Sequence, residues 1–444
     1  MTTASAAVAA TAGGAIGADL RTPGAPGASA PVLHRTQLPN GLTVLSESVP
    51  GARSVAFGAW VRAGTLHESA ADMGISHLLE HMVFKGTRTR SAREIALALE
   101  TLGGSLDAYT EREHTSYQAR VLDVHLADAA SVIGELVFDP VLRPADLRLE
   151  QKVVLEEISM VEDTPDDIIF DVFNQALWGD HPHGYPILGT RETVRGMSVE
   201  RLRDRHATAY RPGQVVVAAA GHVAHDQLLE LLQATGWADR PAEPPVPWAV
   251  DPAEAAAPRA EHVARRDIAQ THVVLGGVGI RHGDPRRYAF ALLDMLLGGG
   301  MSSRLFQRVR EELGLAYSVH TFATSFRDTG VHGIYLASAP ESAQEALDAA
   351  RDVLREVALA GLTPAELAAG KQQLCGQLVL GMEGIGARMY RAASTALYDE
   401  PFRSVDELMA EVEAIDEALV RDVAHEYFNP DRHLLVSLGP KGVR

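Results

Sequence analysis

Three side chains within five residues, His77, Glu80 and His81 of the run HLLEH, have the types and spacing for metal-assisted hydrolysis. On a helix, positions four apart lie one turn apart on the same face, so both imidazoles can meet at one point. Imidazole nitrogen is a good zinc ligand. Glu80 flanks that face, and a carboxylate there could take a proton from a metal-activated water. The order H-x-x-E-H supplies the same groups as H-E-x-x-H with the helix direction reversed. Ile75, Leu78, Leu79, Met82 and Val83 surround them, so three ionisable groups sit in a core helix, which is costly unless something compensates. Alone, the motif leaves two readings open. It is a metal site, or a helix with one hydrogen-bonded core histidine and two exposed polar residues.

A metal site needs a third ligand, and DLRLEQKVVLEEISMVE offers one. Leu147, Glu150, Val154, Glu157 and Val161 follow 3-4-3-4 spacing, which places two glutamates in an otherwise apolar stripe. Buried carboxylates need partners, and a cation is one. Glu157 is taken as the ligand and Glu150 as the group that orients a ligating histidine; Glu156 is rotated about 100° away. A solvated helix with its faces exchanged is the competing reading. Other chemistry is poorly supported. There is no GxSxG, Cys375 is the only cysteine, and GGGMSSR (298–304) lacks the ending of a phosphate loop. His181, His183 and Tyr185 read as a surface loop, with contact to substrate as the alternative.

The elements that must position these residues follow from pattern. PNGL between two alternating runs signals a hairpin, AFGAWVRAG a buried strand and QVVVAAAGHV another. Helical periods run through the HLLEH segment, AREIALALE, VHLADAASVIGELVF and the long stretch from Leu147 to Trp178. Strands and helices mix without a regular βαβ alternation, which predicts an α+β fold. Residues 1–31 read as a disordered tail, 32–238 as the domain bearing the site, 239–261 as a Pro/Ala/Glu-rich linker and 262–444 as a second domain. The two domains read as repeats, with Ala291, Asp294 and Met295 opposite His77, Glu80 and His81. Only the first keeps the chemistry.

With 444 residues, 46% hydrophobic and 22% charged, the chain can bury a large core. Its net charge of −18 opposes nucleic-acid binding and suits basic or extended peptides. No run is long and apolar enough to span a membrane, so the expectation is no membrane and a cytoplasmic location.

These residues resemble the M16 metallopeptidases, the pitrilysin and insulin-degrading enzyme clan. The likeness runs from about residue 34 to 440 through PNGLTVL, GTLHE, GISHLLEHMVFKGT, EREHTSYQARVL, EQKVVLEEI, LGGGMSSRLFQRVREELGLAYSV and FRDTG. It is greatest to the short subgroup of the mitochondrial processing peptidase beta subunit and bacterial homodimeric homologues. The resemblance implies two similar domains, each a mostly antiparallel sheet packed with helices, of the LuxS/MPP-like metallohydrolase type. It implies Zn2+ on His77, His81 and Glu157, Glu80 as general base and Glu150 as an outer carboxylate. Arg310 and Tyr317 match a pair that contacts substrate and the developing oxyanion. Asp107, Ala108 and Thr110 lie on the edge strand where peptide substrate adds as a further β-strand. Asp107 departs from the Asn many members carry. The family's clamshell implies a homodimer. Two alternatives are a scaffold that keeps zinc for stability, and a protease needing a second, different M16 chain.

Overall fold

The computed structural model describes residues 33–444 apart from 245, 247–249, 251–252 and 266. The expected tail, residues 1–31, and part of the expected linker lie outside the described residues. One sheet contains β1 (Leu33–Gln37), β2 (Thr43–Ser48), β3 (Ser54–Val61), β4 (Ser105–Thr110), β5 (Thr115–Leu122) and β6 (Val215–Gly221), in the order β1-β2-β6-β3-β5-β4. The other contains β7 (Ala260–Ala264), β8 (Thr271–Val278), β9 (Ser318–Ser325), β10 (Gly330–Ser338) and β11 (Leu434–Gly439), in the order β7-β11-β8-β10-β9. β7 begins at residue 260, inside the stretch read as linker.

The two sheets repeat one plan. β2 pairs parallel with β6, as β7 does with β11, and the strands beyond them pair antiparallel to an edge formed by β4 or β9. β1 is an addition to the first sheet, joined to β2 by the PNGL turn. There Gly41 takes φ +92°, which favours glycine, and Asn40 Oδ1 accepts from the Leu42 amide at 3.2 Å. This is the α+β architecture of two similar units.

Each sheet also borrows a helix from the other half. The long helical pattern breaks at Thr164–Pro165, because proline cannot continue a helix. The helix Pro144–Asp163 stays with the first core, against the histidine helix Ile75–Val83. The next helix, Pro165–Trp178, packs Ile169, Phe173 and Leu177 against Val274, Tyr335 and Val436 of the second sheet. Conversely, Ile385–Leu397 lays Met389, Ala392, Ala393 and Ala396 over Leu45, Trp60, Val216 and Ala218 of the first sheet. The alanines let this helix approach closely.

The loop holding His181, His183 and Tyr185 is not on the surface, as its polar composition suggested. His183 is 4% and Tyr185 7% exposed. The His183 ring stands 4.6 Å from that of Phe326 in the second half, and Arg112 donates to the Tyr185 carbonyl at 3.0 Å. The tilted ring contact with Phe326 and the buried Arg112 guanidinium hold the loop inward.

Candidate metal centre

The histidine helix is held from both ends. At its start Gly74 adopts φ +85°, and a Cβ there would meet the Leu188 carbonyl at 2.6 Å. The Glu68 carboxylate accepts from the Gly74 and Ser76 amides at 2.8 and 2.9 Å, so it serves as the helix cap. Leu78, Leu79, Met82 and Val83 are fully buried. That leaves His77 and His81 on the remaining face, their ring centroids 4.6 Å apart and their side chains 12% and 18% exposed.

Helix Pro144–Asp163 faces them. Its buried row of Leu147, Glu150 and Val154 continues to the partly exposed Glu157, as the spacing predicted. Glu157 Oε2 stands 3.8 Å from His77 Nε2 and 3.6 Å from His81 Nε2. Among the described residues, His77, His81 and Glu157 form the one group whose ligand atoms converge, all within 4.8 Å. These separations are too long for hydrogen bonds, and Glu157 Oε2 is buried without any partner. Burial, then the neighbouring His81, pushes His77 down to about 3, so it is a neutral imidazole at pH 7 and offers Glu157 no ion pair. A buried carboxylate oxygen facing two ring nitrogens without hydrogen bonding to either is a donor set suited to a cation. Zinc bonds of about 2.0–2.2 Å place tetrahedral ligand atoms roughly 3.4 Å from one another, and Glu157 Oε2 stands close to that separation from both ring nitrogens, at 3.8 and 3.6 Å. The residues fit zinc.

Around this point the supports are specific. Glu150 Oε2 lies 3.2 Å from His81 Nδ1, which directs the other ring nitrogen toward Glu157. Glu150 Oε1 pairs with Lys85 Nζ at 2.8 Å. Glu80 accepts a 2.6 Å hydrogen bond from the Thr110 hydroxyl at the end of β4. Burial raises its carboxyl above the ordinary range, and Thr110 opposes that rise. A poised base beside a cation site can accept and return a proton.

The edge-strand residues divide by face. Thr110 shares its face with Leu106 and Ala108, which pack on the first core, so it reaches Glu80. Asp107 is exposed, and strand alternation points its side chain to the opposite face, away from Glu80. Among the described residues the outer edge of β4 has no strand partner. Arg310 and Tyr317 come together in the second half, the guanidinium 4.6 Å from the Tyr317 ring and 4.7 Å from Phe306. Tyr317 is 74% exposed. The aligned position Asp294 is half-buried, and desolvation pushes its carboxyl up to about 6, with Ala291 and Met295 offering no imidazole.

Lys85 and Glu68 were not singled out from sequence. Lys85 follows His81 by four residues, a spacing that could have revealed it. Glu68 precedes the helix by seven residues across a loop, and no local period marks it.

The chain matches known proteins along its length. Residues 43–191 match the model of Insulinase (Peptidase family M16), and residues 196–374 that of the Peptidase M16 inactive domain. An uncharacterized zinc protease of Streptomyces coelicolor is 39% identical over 413 residues, covering 92% of this chain and 90% of that protein. One of Mycobacterium tuberculosis is 40% identical over 424 residues, covering 95% and 96%. In fold, the chain is similar to a peptidase M16 inactive domain from Pseudomonas fluorescens, with TM-score 0.86, 21% identity and coverage of 93% and 99%. A protease from Helicobacter pylori gives TM-score 0.85 at 20% identity, covering 93% and 100%. Among the described residues no helix is long and apolar enough to cross a membrane. Two family models in succession and relatives near 40% identity over nine-tenths of both sequences establish that the chain belongs to peptidase family M16.

Proposed function

We propose that this chain is a zinc endopeptidase of extended peptides, working as a homodimer in the cytoplasm. The observation that carries this reading is the convergence of His77 Nε2, His81 Nε2 and Glu157 Oε2, with Glu80 one helical step away. Bound zinc would supply Lewis acidity to the attacking water and the scissile carbonyl. Glu80, oriented by Thr110, takes the proton from the attacking water as its oxygen bonds to the carbonyl carbon. It then delivers that proton to the amine nitrogen as the C–N bond breaks. The free edge of β4 suits a substrate strand, whose main chain it would pair regardless of sequence. The net charge of −18 favours basic peptides. Arg310 and Tyr317 are assigned to the developing oxyanion.

The test is zinc content together with cleavage of unstructured, arginine-containing peptides by the wild type and Glu80→Gln. The expected result is about one zinc in each, in line with a three-ligand site, and cleavage by the wild type alone. Zinc in both with no cleavage in either would favour a scaffold or a protease lacking a partner chain. Absence of zinc would overturn the site.

A further inference from the structure

We infer that Lys85 is a positioning residue of the metal centre, acting through Glu150 to hold the His81 imidazole in its ligating orientation. The inference rests on the zinc reading above. Lys85 lies just past the histidine helix, and its ammonium stands 2.8 Å from Glu150 Oε1. The second oxygen of the same carboxylate stands 3.2 Å from His81 Nδ1. With one oxygen on each cationic or N–H partner, the 7%-exposed Glu150 side chain cannot rotate without breaking a contact. The relay ends at His81 Nε2, which faces Glu157 at 3.6 Å.

The backbone makes a second strap at the same place. The Lys85 carbonyl accepts from Arg143 Nη2 at 2.7 Å, and the Gly86 carbonyl accepts from the Val141 amide at 3.0 Å. Arg143 is the residue on which helix Pro144–Asp163 begins. Residue 85 is therefore tied through main chain and side chain to the helix that carries Glu150 and Glu157. Removing the ammonium leaves a buried carboxylate whose remaining partner among the described residues is His81. It then has no fixed direction in which to receive the His81 N–H.

The test uses the full chain and zinc itself, with the dissociation constant read by competition against a chromophoric chelator. Lys85→Met is expected to bind zinc about 10–100-fold more weakly than the wild type, as loss of an outer partner of a ligating histidine does. Lys85→Arg, which keeps the charge, should recover most of that loss. Lys152→Met, an exposed lysine on the glutamate helix, should bind as the wild type does, which separates a local relay from general charge. Lys85→Met added to Glu150→Gln should weaken binding no further than Glu150→Gln alone, because both act through one carboxylate. Metal-free melting curves of all variants identify any that fail to fold, and the Lys85→Arg and Glu150→Gln comparisons then carry the result. Lys85→Met within about twofold of a tight wild type would overturn the inference and leave the zinc reading standing, since the effect expected is at least tenfold. A wild type without zinc affinity would overturn both.

Discussion

At the residue scale, the proposed ligand His81 and the proposed base Glu80 are held by different neighbours, so they can be perturbed separately. His81 depends on Glu150, while Glu80 depends on Thr110, which belongs to another element. The hydroxyl of Thr110 is the hydrogen bond given to Glu80 among the described residues, and burial disfavours the Glu80 charge. Thr110→Val removes that donor at nearly constant volume and touches no ligand. Zinc content should stay as in the wild type, while kcat falls about tenfold, the effect of losing roughly 1.5 kcal/mol of a charge-assisted hydrogen bond. Thr110→Ser, which restores the hydroxyl, should restore most of the rate. Equal kcat for Thr110→Val and the wild type would show that Thr110 does not orient the base.

At the element scale, the helix Ile75–Val83 begins where Glu68 caps it. The cap matters because that end is buried against the Leu188–Gly189 turn, with no water to satisfy the Gly74 and Ser76 amides. Burial pushes the Glu68 carboxyl up, which reduces its net benefit, so Glu68→Ala should destabilise the metal-free chain by about 2 kcal/mol, within the range for leaving buried donors unpaired. Denaturant unfolding measures this, and a loss under about 0.5 kcal/mol would reject the cap, since surface changes produce that much. Glu68 also marks the limit of what pattern can reveal. The histidine pair, Glu80, Glu150 and Glu157 were legible because each lies on a regular helix whose period states its face. The paired strands around PNGL and the repeat of the two sheets were legible for the same reason. The cap, the Lys85 contact and the burial of His183 depend on chain segments meeting across loops, and no period records that. The break at Pro165, passed over in reading one continuous helical stretch, was written in the sequence. That the following helix would cover the other sheet was not, since an apolar helical face does not say which core it joins.

At the scale of the whole molecule, the exchanged helices bear on how a substrate is enclosed. Each half is covered by a helix of the other, and Arg62 of the first half also donates to the Leu397 carbonyl at 2.9 Å. The Glu113 carboxylate accepts from the Arg327 amide at 2.9 Å. Opening the chain between its halves would expose Ile169, Phe173, Leu177, Trp60 and Met389 together, at about 1.5–3 kcal/mol for each large apolar side chain. On the proposed homodimer reading, a chain so locked would admit and enclose a peptide by moving against a second copy. Tyr317, 74% exposed in the single chain, suits a residue that completes a partner's site. Mixing Glu80→Gln with Tyr317→Phe tests this. In a mixed dimer with sites shared between chains, one site combines both defects. The other joins an intact Glu80 to an intact Tyr317. Random mixing should then restore about a quarter of wild-type activity, because half of the dimers are mixed and each has one complete site. If Tyr317 serves its own chain, every site in the mixture keeps a defect, and activity stays at the average of the two separate variants.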